Sequence, residues 1–190
     1  LLNEIKNIHW KKFVQTVSYL PHFISMVIIA GMIREMLSTN GPINGFLVAH
    51  GHEAISFMAL PEWFTTIFVG SGLWQGLGWG TILYLAAIAG ISPDLYEAAE
   101  IDGANRWNQI WHITLPAILP TLILMMTLNM GQIMNAGFDE VFNLYSPLVY
   151  ETGDIIDTYV YRVGLTNMQY SFGTAVGMFK SVISFLLLTL

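Results

Sequence analysis

Residues 92–104 read Ser92-Pro93-Asp94-Leu95-Tyr96-Glu97-Ala98-Ala99-Glu100-Ile101-Asp102-Gly103-Ala104. Ser92 suits the cap position of a helix, and Pro93 suits its first turn, where a missing N–H is harmless. Asp94 sets negative charge against the positive end of the helix dipole. Gly103 is a natural terminator one step beyond the last turn. The stretch therefore predicts a short helix of roughly two to three turns. Leu95, Ala98, Ala99 and Asp102 follow i, i+3, i+4, i+7 spacing and share one face. The small Ala98 and Ala99 let another protein's backbone approach closely, and Glu97 and Glu100 would orient it. Taken alone, the same residues also describe an ordinary amphipathic connecting helix at a membrane surface.

The surrounding chain explains why a membrane enters the reading. Its 190 residues are 54% hydrophobic and only 11% charged, with mean hydropathy +0.56. Soluble domains carry about 25% charged residues, so 7 basic and 13 acidic side chains are too few to cover a globular surface. The net charge of −6 disfavours nucleic acid, whose phosphates it would repel. With no cysteine, disulfides, thiol nucleophiles and Cys-based metal sites are excluded.

Uncharged runs cover 13–33, 63–93, 107–138 and the stretch from Arg162 to Lys180. A helix needs about 20 apolar residues to cross a hydrocarbon core about 30 Å thick. Four spans are expected, near 13–35, 65–90, 116–136 and 172–190, in an all-α polytopic membrane protein. The two longest runs exceed a simple crossing and must tilt, break or lie at the interface. Both ends read as cut from a longer protein.

Basic flanks set the expected orientation. Lys6, Lys11 and Lys12 put the N-terminal end in the cytoplasm. The 38–62 loop, without Lys or Arg, faces outward, residues 92–115 return inside, and 137–171 lie outside. The turn-rich Ser38–Gly45 stretch predicts a loop, and the apolar piece near Ile55–Leu60 an interfacial helix. The acidic segment 139–157 reads as a solvated loop. His50-Gly51-His52 reads as a turn rather than a metal pair, and no metal site is expected.

Two spans carry residues that hydrocarbon alone does not explain. Gly72, Gly76 and Gly80 recur every fourth position beside Trp74, Gln75 and Trp79, a small-xxx-small pattern suited to close helix approach. Asn129, Gln132 and Asn135 recur every third position, and buried amides need partners or a wet cavity. These residues therefore mark either a wet substrate pathway or interhelical packing. Lys180 interrupts the last apolar run. It is expected to pair with an acidic group such as Asp139 or Glu140, to face a cavity, or to snorkel. A Gly-x-x-x-x-Gly-Lys-Ser/Thr phosphate loop is missing from the sequence, so nucleotide chemistry would belong to a partner.

Glu97-Ala98-Ala99, then Asp102-Gly103-Ala104, then Ile113-Thr114-Leu115-Pro116 closely resemble the EAA loop of binding-protein-dependent ABC transporter permeases. The similarity extends through Val17-Ser18-Tyr19-Leu20-Pro21, Tyr84-Leu85-Ala86-Ala87-Ile88, Gly137-Phe138 and Asp157-Thr158-Tyr159-Val160-Tyr161. These segments resemble the oligosaccharide or polysaccharide permease subfamily, related to maltose-type permeases. The resemblance implies a type I ABC importer transmembrane domain across 1–190. Such domains usually have six spans, of which the first and the end of the last would be missing here. It also implies a cytoplasmic coupling loop at about 92–115 that sits in a groove of a separate ATPase. Glu97, Ala98, Ala99, Asp102 and Gly103 would then be the coupling residues. Sugar contacts would fall near Gly76 and Trp79, and near Asn129, Gln132 and Asn135. The implied partners are a second permease, two ATPase subunits holding ATP and Mg, an extracellular substrate-binding protein meeting the outer loops, and the lipid bilayer of the cell membrane. The chain itself would be no enzyme and would hold no cofactor. A membrane enzyme would need paired carboxylates, a Ser/His arrangement or a metal cluster within a span. An ion-driven secondary transporter would need acidic residues at mid-span, which the first three runs lack.

Overall fold

The structure, a computed structural model, describes residues 7–189; Lys6 and Leu190 lie outside them. Every regular element among these residues is helical. Helix α1 (Ile8–Tyr19) starts at Asn7, whose Oδ1 accepts from the N–H groups of His9 at 3.0 Å and Trp10 at 3.3 Å. It tightens into a 3-10 turn over Leu20–Phe23 around the buried Pro21. The chain is extended at Ile24 and Ser25 before α2 (Met26–Leu37) begins. The pieces on either side of this break meet at 100°, so the straight span expected over 13–35 is instead bent. Pro21 has no N–H to continue the helical ladder, and hydropathy alone does not register that loss.

The expected loop at 38–45 is largely helix as well. Only Ser38–Gly41 turns, and Pro42 opens α3 (Pro42–Ala49). The fully buried Asn44 ties the segment together. Its Nδ2 donates to the carbonyls of Ser38 and Ile55, each at 2.8 Å, and its Oδ1 accepts from the Ile55 N–H at 2.7 Å. Asn44→Ala strands all three backbone groups around a fully buried position, and is expected to destabilise the protein by about 3 kcal/mol. Thermal unfolding of the detergent-solubilised protein checks this, and an unchanged midpoint would contradict it. Gly51 takes a left-handed φ of 83°, which makes the His50–His52 stretch the turn that its sequence indicated. The apolar piece at 55–60 contributes only a 3-10 turn at Phe57–Ala59.

Helix α4 (Pro61–Ala89) has 29 residues, roughly 43 Å at 1.5 Å per residue. It fills almost the whole second uncharged run. Helix α5 (Pro93–Ile101) follows after a bend of 69°. Helix α6 (Arg106–Gly131) then runs for 26 residues, with a wide π turn at Ile110–Thr114 just before Pro116. The looser turn accommodates the missing proline N–H. The span expected at 116–136 therefore begins ten residues earlier and stops at Gly131.

Residues 139–157, expected as a solvated loop, lie instead within a run of short helices over 137–171. The run comprises α7 (Phe138–Leu144), α8 (Tyr150–Gly153) and α9 (Ile156–Val160), the last running into a π turn at Tyr161–Thr166. Val141, Leu144 and Val149 join Ala30 of α2 and Phe64 of α4 in the buried core. Their acidic neighbours remain at the margin, which is why the composition read as a loop. Helix α10 (Tyr170–Thr189) is the last element among the described residues.

Helices α6 and α10 are each long and apolar enough to cross a membrane. The count reaches the expected four when each of the bent pairs, 8–23 with 26–49 and α4 with α5, is taken as one span. Ile123, Leu124, Met126 and Leu128 stand exposed along α6, as lipid or a partner would require.

Candidate coupling helix and polar cavities

Helix α5 forms where its sequence signals place it. The Ser92 Oγ accepts from the Asp94 N–H at 3.3 Å, and Gly103 ends the helix with φ of 78°. Three of the last carbonyls are taken up: Asp102 N–H donates to Ala98 O at 3.0 Å, Gly103 N–H to Glu100 O at 3.0 Å and Ala104 N–H to Ala99 O at 2.9 Å. Tyr96 Oη and Thr114 Oγ1 lie 2.9 Å apart, fastening α5 to α6 near the Ile113–Pro116 motif. Of the shared face, Leu95, Ala98 and Asp102 are exposed, as is Glu97 beside them, while Ala99 is half-buried. Ile101 is 87% exposed, and Trp107 and Trp111 stand out from the adjoining turns. Sequence reading missed these three. Their signal is large apolar side chains in a connecting segment that also holds Asp102, Asn105, Arg106 and Asn108.

In α4 the buried residues are Phe64, Ser71 and Gly78, spaced by seven. A Cβ on Gly78 would sit 2.0 Å from the Ser18 carbonyl oxygen, so this glycine makes the seam between α1 and α4. The Gly72, Gly76, Gly80 stripe does not serve as that seam. Positions 76 and 80 have nothing within 4 Å of an added Cβ, and Gly72 faces the Glu140 carboxylate. The structural signal was the heptad, and the four-residue repeat obscured it. Gln75 Nε2 donates to Ile24 O at 3.0 Å, satisfying a carbonyl exposed by the break after α1.

The expected pathway residues separate into distinct surroundings. Trp79 stacks flat on His22 with centroids 4.4 Å apart. It shares a cavity of about 440 Å³ with Leu83, Tyr84, Met125 and Asn129. Gln132 and Asn135 lie in the turn beyond α6 rather than on its face, because the helix ends at Gly131. Asn135 Nδ2 donates to Gln132 Oε1 at 2.8 Å. Both line a second cavity of about 490 Å³ with Asp157, Lys180 and Ser184. Gly76 lines neither of these two cavities and stands open.

Lys180 pairs with Asp157, not with Asp139 or Glu140. Glu140 instead accepts from Ser71 Oγ at 2.7 Å, being drawn onto α4 by the packing of α7. Outside the spans, Arg162 Nη2 meets Asp154 Oδ2 at 2.6 Å and Nη1 meets Oδ1 at 3.1 Å. That bidentate guanidinium holds the Asp154 carboxyl below the usual carboxylate range. Among the described residues, no group of three or more His, Asp or Glu is placed to hold a metal.

Long apolar helices, a capped elbow helix between two of them and polar cavities beside the spans define a multi-pass helical membrane protein. Residues 9–190 match the family of the binding-protein-dependent transport system inner membrane component, and the chain belongs to it. It is 44% identical to the polygalacturonan/rhamnogalacturonan transport system permease protein YteP of Bacillus subtilis (strain 168), over 100% of this chain and 60% of that protein. It is 31% identical to the lactose transport system permease protein LacF of Rhizobium radiobacter, over 75% of this chain and 48% of that protein. A crystal structure of a bacterial alginate ABC transporter, in complex with alginate pentasaccharide-bound periplasmic protein, contains a similar chain. The TM-score is 0.94 at 43% identity, covering 99% of this chain and 66% of that one. This likeness bears out the expected ABC importer fold. The chain spans 60% of the length of the first relative.

Proposed function

We propose that the chain is the core of a permease subunit that imports carbohydrate, oligosaccharide or polysaccharide, by coupling to ATP hydrolysis in separate subunits. The observation that carries this reading is the construction of α5. The helix is capped at its start, closed by a left-handed glycine, and tied to α6 through Tyr96 and Thr114. A helix fixed in this way transmits a rigid-body displacement that a loose loop would absorb. Glu97, Ala98, Ala99, Asp102 and Gly103 form the coupling surface, with Leu95 and Ile101 supplying exposed apolar contact. ATP and Mg belong to the partner ATPases, which grip α5 from the cytoplasm.

In this reading a second permease completes the pathway, and an extracellular binding protein delivers cargo at the opposite face. The alginate transporter crystallised with its periplasmic protein supports the binding-protein part of that arrangement. Trp79 and Asn129 in one cavity, Gln132 and Asn135 in the other, offer an aromatic face and amides to sugar rings. Gly76 leaves the pathway side of α4 open. The relatives named for polygalacturonan and lactose transport support a carbohydrate cargo.

The chain has no cysteine, so Glu100→Cys in a cysteine-free permease gives one thiol on α5. A membrane-impermeant maleimide should label it in inside-out vesicles and not in right-side-out ones. Oligosaccharide uptake by the reconstituted transporter should require ATP and persist when ion gradients are collapsed. Labelling from outside, or uptake that follows the ion gradient, would refute the proposal.

A further inference from the structure

Arg34 is the first charge after the uncharged run 13–33 and stands in the last turn of α2. An arginine at the end of a span reaches the boundary of hydrocarbon and water, and it complements the helix dipole. Neither role uses up a guanidinium, which carries five N–H donors. The hydrogen bond that Arg34 makes is a long one, from Nη2 to the Tyr145 carbonyl at 3.5 Å. Glu53, Glu62, Asp139 and Glu151 lie in the segments expected outside, yet no carboxylate pairs with Arg34 among the described residues. Arg162, by contrast, is spent on Asp154.

Arg34 lines a cavity of about 410 Å³ where the end of α2, the Phe57–Ala59 turn and the link from α7 to α8 meet. Thr39 and Ser56 bring further hydroxyls to it. Ser146 lines it as well, and its Oγ is shut off from solvent with no hydrogen-bond partner, a costly state for a hydroxyl. The rest of the wall is apolar and includes Leu37, Met58 and the exposed Leu148. No aromatic side chain lines this cavity among the described residues, so it offers a sugar ring no face to stack on.

A guanidinium with donors to spare pairs best with a planar or tetrahedral oxyanion that it can grip bidentately. The apolar wall asks in addition for hydrocarbon on the same molecule. A phosphate that carries an acyl chain meets both demands, whereas a carboxylate on a docking protein brings the charge without the chain. The volume lies within the range of small-ligand sites, about 300–1,000 Å³, and suits a headgroup with the start of its chain. We propose that this cavity binds the headgroup of an anionic phospholipid. Arg34 grips the phosphate, Thr39, Ser56 and Ser146 bond its oxygens, and Leu37, Met58 and Leu148 cover the first methylenes. A glycerol headgroup suits the three hydroxyls, while choline sets a second cation against Arg34. Lipid held there ties the end of α2 to the α7–α8 link. The inference needs only a membrane-embedded chain and is independent of what the protein carries.

The test uses the full transporter, stripped of lipid in detergent. Native mass spectrometry follows its binding of dioleoylphosphatidylglycerol against dioleoylglycerol, the phosphate-free counterpart. The wild type should hold the phospholipid about tenfold more tightly or better, and Arg34→Gln should lose that factor, the loss of one charge-assisted bond. Arg34→Lys, which keeps the charge without the fork, should fall between the two. Arg34 is exposed, so the glutamine variant should fold. Should it fail to accumulate, Leu148→Glu, at a position 68% exposed, gives the same readout by setting a carboxylate against the headgroup. Inorganic phosphate at the same concentration should leave the lipid in place, and its displacing the lipid would make this a site for the free anion. Full phospholipid preference in Arg34→Gln or in Leu148→Glu would overturn the proposal. So would an Arg34→Gln transporter that keeps its lipid but binds its binding protein more weakly in phosphatidylcholine vesicles, which would give the cavity to that protein.

Discussion

Gly103→Pro is expected to leave the permease in the membrane and to cut ATP-driven uptake by about a hundredfold, while the ATPase continues to turn over. Gly103 sits at φ of 78°, a region that proline, fixed near −65°, does not enter. Proline also removes the N–H that Gly103 donates to Glu100 O at 3.0 Å. Strain and lost bond together are worth about 3 kcal/mol, and the chain avoids them by leaving the helix on another path. Because an added Cβ meets nothing within 4 Å, crowding plays no part and the backbone angle decides the outcome. Asparagine, which tolerates left-handed φ, should therefore be mildest, alanine intermediate at about 1–2 kcal/mol, and proline worst. Glu97→Lys, on an exposed side chain, should uncouple through charge alone. Measuring uptake and ATP hydrolysis in the same proteoliposomes checks the series. Wild-type uptake by Gly103→Pro would remove α5 from the coupling path.

The second large effect lies in the seam of α1 with α4. Gly78→Val is expected to abolish accumulation of folded protein, whereas Gly76→Val and Gly80→Val should accumulate normally. At position 78 even a Cβ would meet the Ser18 carbonyl oxygen at 2.0 Å and its carbon at 2.4 Å. Both atoms are backbone, so relief requires α1 itself to retreat. That retreat breaks the stack of His22 on Trp79 and the bond from Gln75 to Ile24. Overpacking of this kind costs about 3 kcal/mol, before the lost contacts are added. Membrane levels and thermal unfolding in detergent distinguish the three positions. Equal behaviour at 76 and 78 would contradict the assignment of the seam.

The contrast among these glycines shows what a sequence discloses. Helix α5 was legible because its cap, proline and terminating glycine act on their immediate neighbours. The helical class and number of apolar segments were legible because lipid leaves a compositional mark. The break at Pro21 was present in the sequence, yet the apolar run across 13–33 concealed it. The 139–157 stretch misled because charge dominates its average, while Val141, Leu144 and Val149 point the other way into the core. The pairing of Lys180 with Asp157 was not legible at all. It depends on where α9 comes to rest after several short turns, a tertiary outcome that spacing does not encode. Similarly, the three-residue rhythm of Asn129, Gln132 and Asn135 implied one helical face, but the helix stops at Gly131. Rhythm persists in a sequence past the point where the helix that would use it has ended.

The heptad of Phe64, Ser71 and Gly78 gives α4 the character of an axle. Phe64 lies against Gly153 of α8, Ser71 holds Glu140 of α7, and Gly78 touches Ser18 of α1. Three separate parts of the molecule are thus keyed to a single stripe on one shaft, whose far end leads directly into α5. In the proposed coupling reading, a displacement of α5 would pass through the 69° bend into α4 and so reach all three keyed parts together.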